Sequence, residues 1–521
     1  MMQKSVPIGF KRRAAFAKTF ADSFKSRLGL SAGDAISRSH DYLSANFGQL
    51  KGLPQKLGQI LSLKEDLAEE QSSFSNLRES SDAILSGEDF ISLVSACLGA
   101  DQFEQFATID PMPLAAASLS QVHRATLKTG EEVVVKLQYP NIKAAIDQDL
   151  HDLGWLGKPL TFLGSEFDLS DYRTEIQNQI EQELDYKKEV ENIEAFQSLW
   201  EDDQSIRIPG VYKNLSNAQV LVMDYVVGER YEDVVKNWSH LQKISLAKSY
   251  LEFQLKSLFQ YGVIHGDPHP GNFRFQFVNN HPQITVYDFG NVIRLSLREK
   301  QNLKNFFSHL LEDVSEDRLF FDLAEIGFDE FKLRSLTGQF AEVLKLLFRP
   351  FLYEGLFETA TWNRREKIEE LVGAKKWDMR TSAPAHFIYF VRWYQGLNYY
   401  LSHLPAVSWR SILIPYLMHA NENQEVPPAP KVEKTEDAAF VLRVKVEKNG
   451  LETVSLSMPG DCVRRLDEVI PSDVRDKIME QGIPFFEKVD HFKNLKTLAP
   501  EKIFSIKEKF KTVSVSLEKQ I

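Results

Sequence analysis

The chain has 521 residues, of which 43% are hydrophobic and 26% charged, with a formal net charge of -11. This length can hold more than one hydrophobic core, and the mean hydropathy of -0.29 argues against an integral membrane protein. The acidic balance and the lack of a long basic block disfavour nucleic acid as a partner, because phosphate binding needs a concentrated basic surface.

A basic amphipathic helix is predicted for residues 8–30. Phe16, Phe20 and Phe24 recur every four residues among lysines and arginines. Such a helix either docks on the body of the protein or makes a peripheral membrane contact, and in a eukaryote it also fits a mitochondrial transit segment. Cys97 and Cys462 are far apart in sequence, which favours a reducing compartment. We therefore expect a cytoplasmic protein, at most peripheral to a membrane.

The periodicity of the sequence predicts five segments. They are a helical extension (1–105), a small β-rich lobe with inserted helices (106–228), a mainly helical lobe (229–420), a proline-rich linker (421–436) and a small α+β tail (437–521). Strands are expected at 122–125, 132–138, 206–212 and 219–225, and a hairpin is expected around Asn449-Gly450.

Two segments carry the strongest signal for chemistry, YGVIHGDPHPGNF (261–273) and VYDFG (286–290). They place Asp267, Asn272 and Asp288 in the order and spacing of a kinase-like site. There one carboxylate orients or deprotonates the acceptor, while the amide and the second carboxylate hold metal. The alternative, two unrelated surface turns, loses weight once both segments are seen together. We predict Asp267 as the catalytic carboxylate and Asn272 and Asp288 as magnesium ligands.

Lys136 closes an apolar run and matches the strand lysine that pairs with nucleotide phosphates in kinases. Charged groups rarely end such strands without a partner, and Glu189 in the segment YKKEVEN is the predicted counter-charge, with a solvated helix face as the alternative. Backbone groups near Asp224 and Val226 are candidates for adenine binding, with an ordinary strand end as an equal alternative.

The phosphate loop of this chain lacks glycine. Ala115, Ala116, Ala117 and Ser118 stand where a kinase would carry its glycine-rich loop, and each added Cβ hinders close approach of the backbone to phosphate. Slow or atypical phosphoryl transfer is expected. Gly266 replaces the arginine that many protein kinases carry beside the catalytic aspartate, and no Ala-Pro-Glu sequence follows, so a protein substrate is disfavoured.

These motifs together resemble the UbiB/AarF-type atypical kinases, a family associated with ubiquinone and other isoprenoid lipids. The match runs from about residue 52 to 295 and includes two further motifs. Lys56-Leu57-Gly58-Gln59 is similar to the family's KxGQ motif, and Glu183-Leu184-Asp185 is similar to its ExD motif. The resemblance implies a two-lobed α+β protein-kinase-like fold in which Lys56 and Gln59 lie near Glu183 and Asp185. An exposed helix with an incidental lysine is the alternative.

The same resemblance implies binding of ATP or ADP with Mg²⁺. It also implies kinase or ATPase activity in isoprenoid-lipid metabolism, with an isoprenoid lipid or quinone precursor and lipid-biosynthesis enzymes as partners. The chain departs from one common family pattern, because no C-terminal transmembrane helix is expected from its sequence. Two rival interpretations are an aminoglycoside- or choline-kinase-like phosphotransferase and a nucleotide-sensing pseudokinase that regulates or scaffolds partner enzymes.

Overall fold

The structure is a computed structural model that describes most of the chain from residue 85 to residue 519. The predicted basic helix at 8–30, Lys56, Gln59, Ser118 and the linker at 421–436 lie outside the described residues. The described residues are 85–117, 119–147, 181–362, 367–368, 370–371, 379, 382–384, 386–418, 440–448, 451–459, 463–464, 466, 475, 478–495, 498–508 and 511–519.

Helices and strands both occur along the described chain. The α-helices whose bounds are described are α1 (Gly87–Leu98), α2 (Ala100–Phe103), α3 (Tyr186–Leu199), α4 (Tyr231–Asn237), α5 (His240–Leu255), α6 (Leu297–Leu311), α7 (Glu316–Ile326), α8 (Glu330–Leu333), α9 (Phe340–Leu347), α10 (Arg349–Leu352), α11 (Phe387–Ser402), α12 (Trp409–Met418) and α13 (Phe485–Asn494). The β-strands are β1 (Phe106–Ala116), β2 (Ser120–Leu127), β3 (Glu132–Gln138), β4 (Ile206–Arg207), β5 (Val220–Asp224), β6 (Val263–His265), β7 (Phe273–Val278), β8 (His281–Val286), β9 (Val292–Arg294), β10 (Phe440–Lys448), β11 (Leu451–Pro459), β12 (Glu501–Glu508) and β13 (Lys511–Lys519).

The chain divides into two compact units. The first takes in the described residues within Met1–Lys300, Tyr353–Arg365 and Ala385–Met418, and the second takes in those within Gln301–Leu352, Glu366–Pro384 and His419–Ile521. The domain boundaries given above remain predictions. This division groups 301–352 with the tail, whereas the periodicity of the sequence predicts that stretch as part of the helical lobe.

A four-stranded antiparallel sheet in the order β1-β2-β3-β5 lies in the first unit. The strand at Glu132–Gln138 is confirmed, and the strands at 122–125 and 219–225 correspond to β2 and β5. The expected strand at 206–212 forms only at Ile206–Arg207. Pro209 lies two residues beyond Arg207 and has no N–H for a ladder, which explains the early end.

Helix α1 is docked on this sheet by a buried polar network. The ring of His123 stacks on Phe90 with 3.7 Å between centroids. Its Nδ1 lies 2.6 Å from the carbonyl of Asp110 and its Nε2 lies 2.9 Å from the amide of Gln121. Gln121 also exchanges hydrogen bonds with the backbone of Leu85. Because a carbonyl only accepts, Nδ1 carries the proton, and Nε2 accepts from Gln121.

Short strands interrupt the segment after residue 228, for which the sequence pattern predicts mainly helices. Strands β6 and β9 pair antiparallel. Strands β7 and β8 form an antiparallel hairpin, and β8 also pairs with β4 in parallel. Asn279 and Asn280 join the hairpin with φ angles of 50° and 63°, as in a two-residue type I′ turn. Strands of three to six residues are too short for periodicity to reveal among long helices.

The second unit contains an antiparallel sheet in the order β11-β10-β13-β12. The predicted hairpin is confirmed, because β10 and β11 pair antiparallel on either side of residues 449–450. Leu442, Val515 and Leu517 of the sheet share a buried core with Phe485 and Phe492 of α13. Helices and antiparallel sheets in both units confirm the α+β class. None of the described helices has the length and hydropathy that a membrane crossing requires.

Candidate active site

Lys136 lies in the middle of β3, opposite Val122 of β2 and Leu221 of β5. Side chains alternate along a strand, so Val133 and Val135 pack into the core on one face while Lys136 points to the other. Its Nζ donates to both carboxylate oxygens of Glu189, at 3.0 and 3.1 Å, and to Oδ2 of Asp288 at 3.1 Å. The ammonium of Lys136, on β3, therefore contacts both helix α3 and the DFG segment (Asp288–Gly290).

Helix α3 brings Glu189 to the lysine and also holds Phe289, the middle residue of the DFG segment. The Phe289 N–H donates to Glu189 Oε1 at 3.3 Å, and its carbonyl accepts from Asn192 Nδ2 at 3.0 Å. The ring of Phe196 lies 5.0 Å from that of Phe289. Glu189, Asn192 and Phe196 share one helix face, so the helix fixes both the backbone and the ring of this segment.

Burial and charge act in opposite directions on these three groups. Burial disfavours the ammonium of Lys136, but the carboxylates of Asp288 and Glu189 outweigh it and raise its pKa well above the ordinary value. Burial raises the pKa of Glu189 to about 7. Burial also opposes the charge of Asp288, yet Lys136 and the Gly290 N–H lower its pKa. Asp288 therefore carries a stable negative charge at neutral pH.

A single hairpin places Asn272 beside Asp288. Asn272 directly precedes β7, and Asp288 lies two residues after β8. Phe273 pairs with Val286, and the Tyr287 N–H donates to the Asn272 carbonyl at 3.0 Å. Because the strands are antiparallel, residues that are 16 positions apart in sequence return to the same end of the hairpin.

Asp267 is held on both of its carboxylate oxygens. Asn272 Nδ2 donates to Oδ2 at 3.1 Å and to the Asp267 carbonyl at 3.0 Å. Arg392 Nη2, from α11, donates to Oδ1 at 3.0 Å. The sequence motifs do not single out Arg392 as a site residue. The signal was present, since a lone arginine in the apolar run FIYFVRWY needs a partner if it is buried.

Backbone and buried side chains fix the loop in front of Asp267. The Gly266 N–H donates to the Asn291 carbonyl at 2.8 Å, and His265 Nε2 lies 2.6 Å from the Asp288 carbonyl. A Cβ on Gly266 would lie 2.6 to 2.7 Å from side-chain atoms of Asn291. Glycine at 266 is thus required by close packing against the residue that follows the DFG segment.

The segment predicted to bind adenine is already engaged in hydrogen bonds. The carboxylate of Asp224 accepts from the Gly210 N–H at 2.8 Å and from the Tyr212 hydroxyl at 3.2 Å. The carbonyl of Val226 accepts from the Tyr287 hydroxyl at 2.6 Å. The Asp224 side chain therefore stabilises its own strand end, while Val226 is tied to the strand that leads to Asp288.

The alanines of the predicted phosphate loop are partly in a strand. Ala115 and Ala116 are the last residues of β1 and pair with Val122 and Gln121. The Ala117 N–H donates to the Ser120 carbonyl at 2.8 Å, which closes the turn to β2. The turn itself is therefore shorter than the predicted loop.

The two residues of the ExD motif have different surroundings. Asp185 caps α3, because its carboxylate accepts from the Lys187 N–H at 3.0 Å. Glu183 packs beside Gly290, where a Cβ would meet Glu183 Cγ at 3.5 Å. Their predicted contacts with Lys56 and Gln59 remain predictions, since both of those residues lie outside the described part of the chain.

The oxygen atoms at this site fit magnesium that is bound together with a nucleotide. Asn272 uses its amide nitrogen for Asp267, which turns its amide oxygen away from that carboxylate. Asp288 is charged and its side chain is 35% exposed. Within the described residues no group of three or more His, Cys, Asp or Glu side chains forms a complete metal site. Mg²⁺ commonly binds through one or two carboxylates plus substrate phosphates, and this donor set matches that pattern.

Comparison with known families agrees with this geometry. Residues 79–318 match the model of the ABC1 atypical kinase-like domain. Lys136, Glu189, Asp267, Asn272 and Asp288 all lie within the matched region. This match confirms the resemblance of this part of the chain to the UbiB/AarF-type atypical kinases, and it confirms the kinase-like fold class.

Several relatives share this domain. The chain is 36% identical to a chloroplastic protein of Arabidopsis thaliana named activity of BC1 complex kinase 1, over 46% of this chain and 39% of that protein. It is 26% identical to the mitochondrial atypical kinase COQ8B of Rattus norvegicus, over 62% of this chain and 61% of that protein. The matches thus span between two fifths and three fifths of these relatives. A solved structure of Rv3197 with erythromycin, from Mycobacterium tuberculosis, has a TM-score of 0.49 and 22% identity, covering 74% of this chain and 98% of that one.

Proposed function

We propose that this chain binds ATP or ADP with Mg²⁺ and acts as an atypical ATPase or small-molecule or lipid kinase. Lys136 would pair with nucleotide phosphates, Asn272 and Asp288 would hold magnesium, and Asp267 would orient or deprotonate the acceptor. The bound metal would neutralise charge that develops on the transferred phosphoryl group. The proposed setting is isoprenoid-lipid metabolism, with a lipid or quinone precursor as acceptor or activator.

One observation carries the proposal, the position of Lys136 between Glu189 and Asp288. A kinase-like site requires both the lysine–glutamate pair and the DFG aspartate to be in place. Here all three side chains meet within 3.0 to 3.1 Å. The spacing of Asp267 and Asn272, joined by two hydrogen bonds, supports phosphoryl transfer over simple nucleotide storage.

A pseudokinase that binds nucleotide and regulates partner enzymes is the second candidate. The observation that favours it is the end of β1, where Ala115 and Ala116 are paired with β2. Each Cβ there limits how closely backbone N–H groups can approach phosphate. Asp267, Asn272 and Asp288 together favour an active enzyme, so this candidate stands second.

The test is ADP release from MgATP by the full chain, measured with and without liposomes that carry an isoprenoid-quinone precursor. Wild type is compared with Asp267→Asn for turnover and with Asp288→Asn for binding. Turnover that depends on Asp267 and rises with the liposomes supports a lipid-linked ATPase or kinase.

Calorimetry separates the two candidates. Tight binding of Mg-nucleotide without turnover in either condition favours the pseudokinase. Normal binding of Mg-nucleotide by Asp288→Asn contradicts the metal assignment. Glu252→Gln is the matched control for loss of a carboxylate, since Glu252 lies on α5 and accepts from the Tyr416 hydroxyl at 3.5 Å.

A further inference from the structure

Arg392 lies 125 residues from Asp267 in sequence, yet its guanidinium donates to Oδ1 of that carboxylate at 3.0 Å. The Arg392 side chain is 6% exposed and that of Asp267 is 18% exposed. Pairs this well shielded interact more strongly than exposed ones, and removing one partner leaves an uncompensated charge. The contact is therefore part of the folded site and differs from an incidental surface ion pair.

Helix α11 is held against the same loop by a second contact. A Cβ on Gly396 would lie 2.3 and 2.4 Å from side-chain carbons of Pro268. Only a glycine allows the helix backbone to approach the residue after Asp267 this closely. Arg392 and Gly396 are four residues apart, so they lie on one face of the helix. The backbone contact thus sets the distance from which the arginine reaches the carboxylate.

A third residue on this face fixes the helix to the strands behind the loop. The ring of Tyr400 lies 5.7 Å from that of Phe273, which directly follows Asn272. The Tyr400 ring also lies 4.3 Å from that of Tyr250 in α5. Positions 392, 396 and 400 therefore form one stripe along the catalytic loop, with charge at one end, a close backbone contact in the middle and an aromatic anchor at the other.

We infer that Arg392 is a positioning residue that fixes the carboxylate of Asp267 from outside the catalytic segment. Asn272 holds Oδ2 and Arg392 holds Oδ1, so the carboxylate has one preferred rotation. The cation sits on α11, whereas the residue next to Asp267 is the tightly packed Gly266. This inference rests on the proposed function, because it assigns Arg392 a part in orienting the group that faces the acceptor.

The test compares Arg392→Gln and Arg392→Lys with wild type in two measurements. In the ATPase assay, Arg392→Gln should lower kcat about tenfold to a hundredfold while KM for MgATP changes less than about twofold, because misplacing a reacting group affects the chemical step most. Arg392→Lys should recover part of kcat, since a lysine keeps the charge but loses the planar fork.

The second measurement is Mn²⁺ affinity at saturating ADP, which needs no turnover. Removing a cation near the metal ligands should tighten Mn²⁺ binding by roughly twofold to fivefold in Arg392→Gln. A purely structural role would weaken it, because a displaced loop also displaces Asn272. Weaker Mn²⁺ binding with parallel loss of kcat would overturn the inference. Arg410→Gln, which removes a cation from an ion pair with the exposed Glu354, should leave both quantities near wild type.

A double-mutant cycle separates failure of the inference from failure of the proposed function. If wild type shows neither turnover nor nucleotide binding, the proposed function fails first. The unfolding free energies of Arg392→Gln, Asp267→Asn and the double variant then decide the pairing. Clear coupling supports the contact on which the inference stands, and strictly additive losses contradict it.

Discussion

The hydroxyl of Tyr287 donates to the backbone carbonyl of Val226 over 2.6 Å, which ties the predicted adenine-binding segment to the residue that directly precedes Asp288. The Tyr287 N–H in turn donates to the carbonyl of Asn272 at 3.0 Å. Tyr287 thus contacts both the predicted adenine site and the predicted metal site. A single residue sets the separation of the two places where one nucleotide would bind.

Tyr287→Phe should therefore weaken binding of MgADP by about twofold to tenfold, because the segment at Val226 loses its preorganisation. Loss of the hydrogen bond should also lower the free energy of unfolding by about 0.5 to 1.5 kcal/mol. Calorimetric titration and denaturant unfolding measure the two effects. Tyr212→Phe removes a phenol bond to Asp224 on the same segment and serves as the control. Equal losses of MgADP affinity in both variants would show that Tyr287 has no specific role in preorganising the segment at Val226.

Gly396→Ala should disturb the site although alanine is the better helix former. In an exposed helix this change gains about 1 kcal/mol. Here the new Cβ would lie 2.3 Å from Pro268, so α11 must move away from the loop and take Arg392 with it. We expect a lower free energy of unfolding, by about 1 to 3 kcal/mol, and a loss of kcat like that of Arg392→Gln. The control is Val391→Ala on the same helix, where the residue is 38% exposed. A Gly396→Ala variant with unchanged stability and kcat would contradict the close contact.

Gly266→Ala should likewise destabilise the loop, and here a second change should rescue it. The added Cβ meets the side chain of Asn291 at 2.6 to 2.7 Å, and that side chain is buried. We expect a loss of about 1 to 3 kcal/mol for Gly266→Ala and recovery of much of it in Gly266→Ala with Asn291→Ala. Denaturant unfolding of the four proteins in this cycle gives the coupling. If the losses in the free energy of unfolding are additive, the clash between the new Cβ and Asn291 is not the cause of the destabilisation.

The stability contributed by His123 should depend on pH. Burial lowers its pKa, although Asp110 opposes the shift, so the folded protein holds a neutral ring where the unfolded chain takes up a proton. The unfolded state then binds more protons, and stability falls as pH drops below the ordinary value of about 6.5. His123→Phe keeps the stack on Phe90 but removes the acceptor of one Gln121 N–H and the donor to the Asp110 carbonyl, costing about 1 to 3 kcal/mol at pH 7. The difference in the free energy of unfolding between wild type and His123→Phe should become smaller as the pH falls from 7 to 5.

Denaturant midpoints across this pH range measure that effect. His240 is exposed at the start of α5, and His240→Gln controls for the loss of one histidine. A constant difference between wild type and His123→Phe would mean that His123 does not titrate differently in the folded and unfolded chain.

The polar centre of the site could be predicted because its chemistry fixes the sequence spacing. Asp267 and Asn272 lie in one tight loop, and Lys136 closes a run of valines inside β3, so the order of residues along the chain reveals them. The sequence could not place Arg392, since nothing local connects it with a loop 125 residues earlier. It also could not reveal that the phenol of Tyr287 reaches Val226, because only the folded hairpin brings that ring to the segment.

The short strands β6 to β9 were missed for a related reason. Each spans three to six residues, and their pairing depends on partners elsewhere in the fold. Longer strands such as β3, with its run of valines between polar ends, were predicted with the correct bounds.

Strand pairing in the hairpin of β7 and β8 sets the distance between Asn272 and Asp288, so paired insertions at the tip leave that distance unchanged. Both residues lie at the open end, whereas Asn279 and Asn280 turn the chain at the other end. Adding two residues to each strand would lengthen the hairpin without moving either side chain, while a single insertion in one strand would reverse the faces of the residues beyond it. The number of residues between Asn272 and Asp288 can therefore change only through insertions that match in both strands. A search for similar sites should allow such paired insertions at the tip of the hairpin.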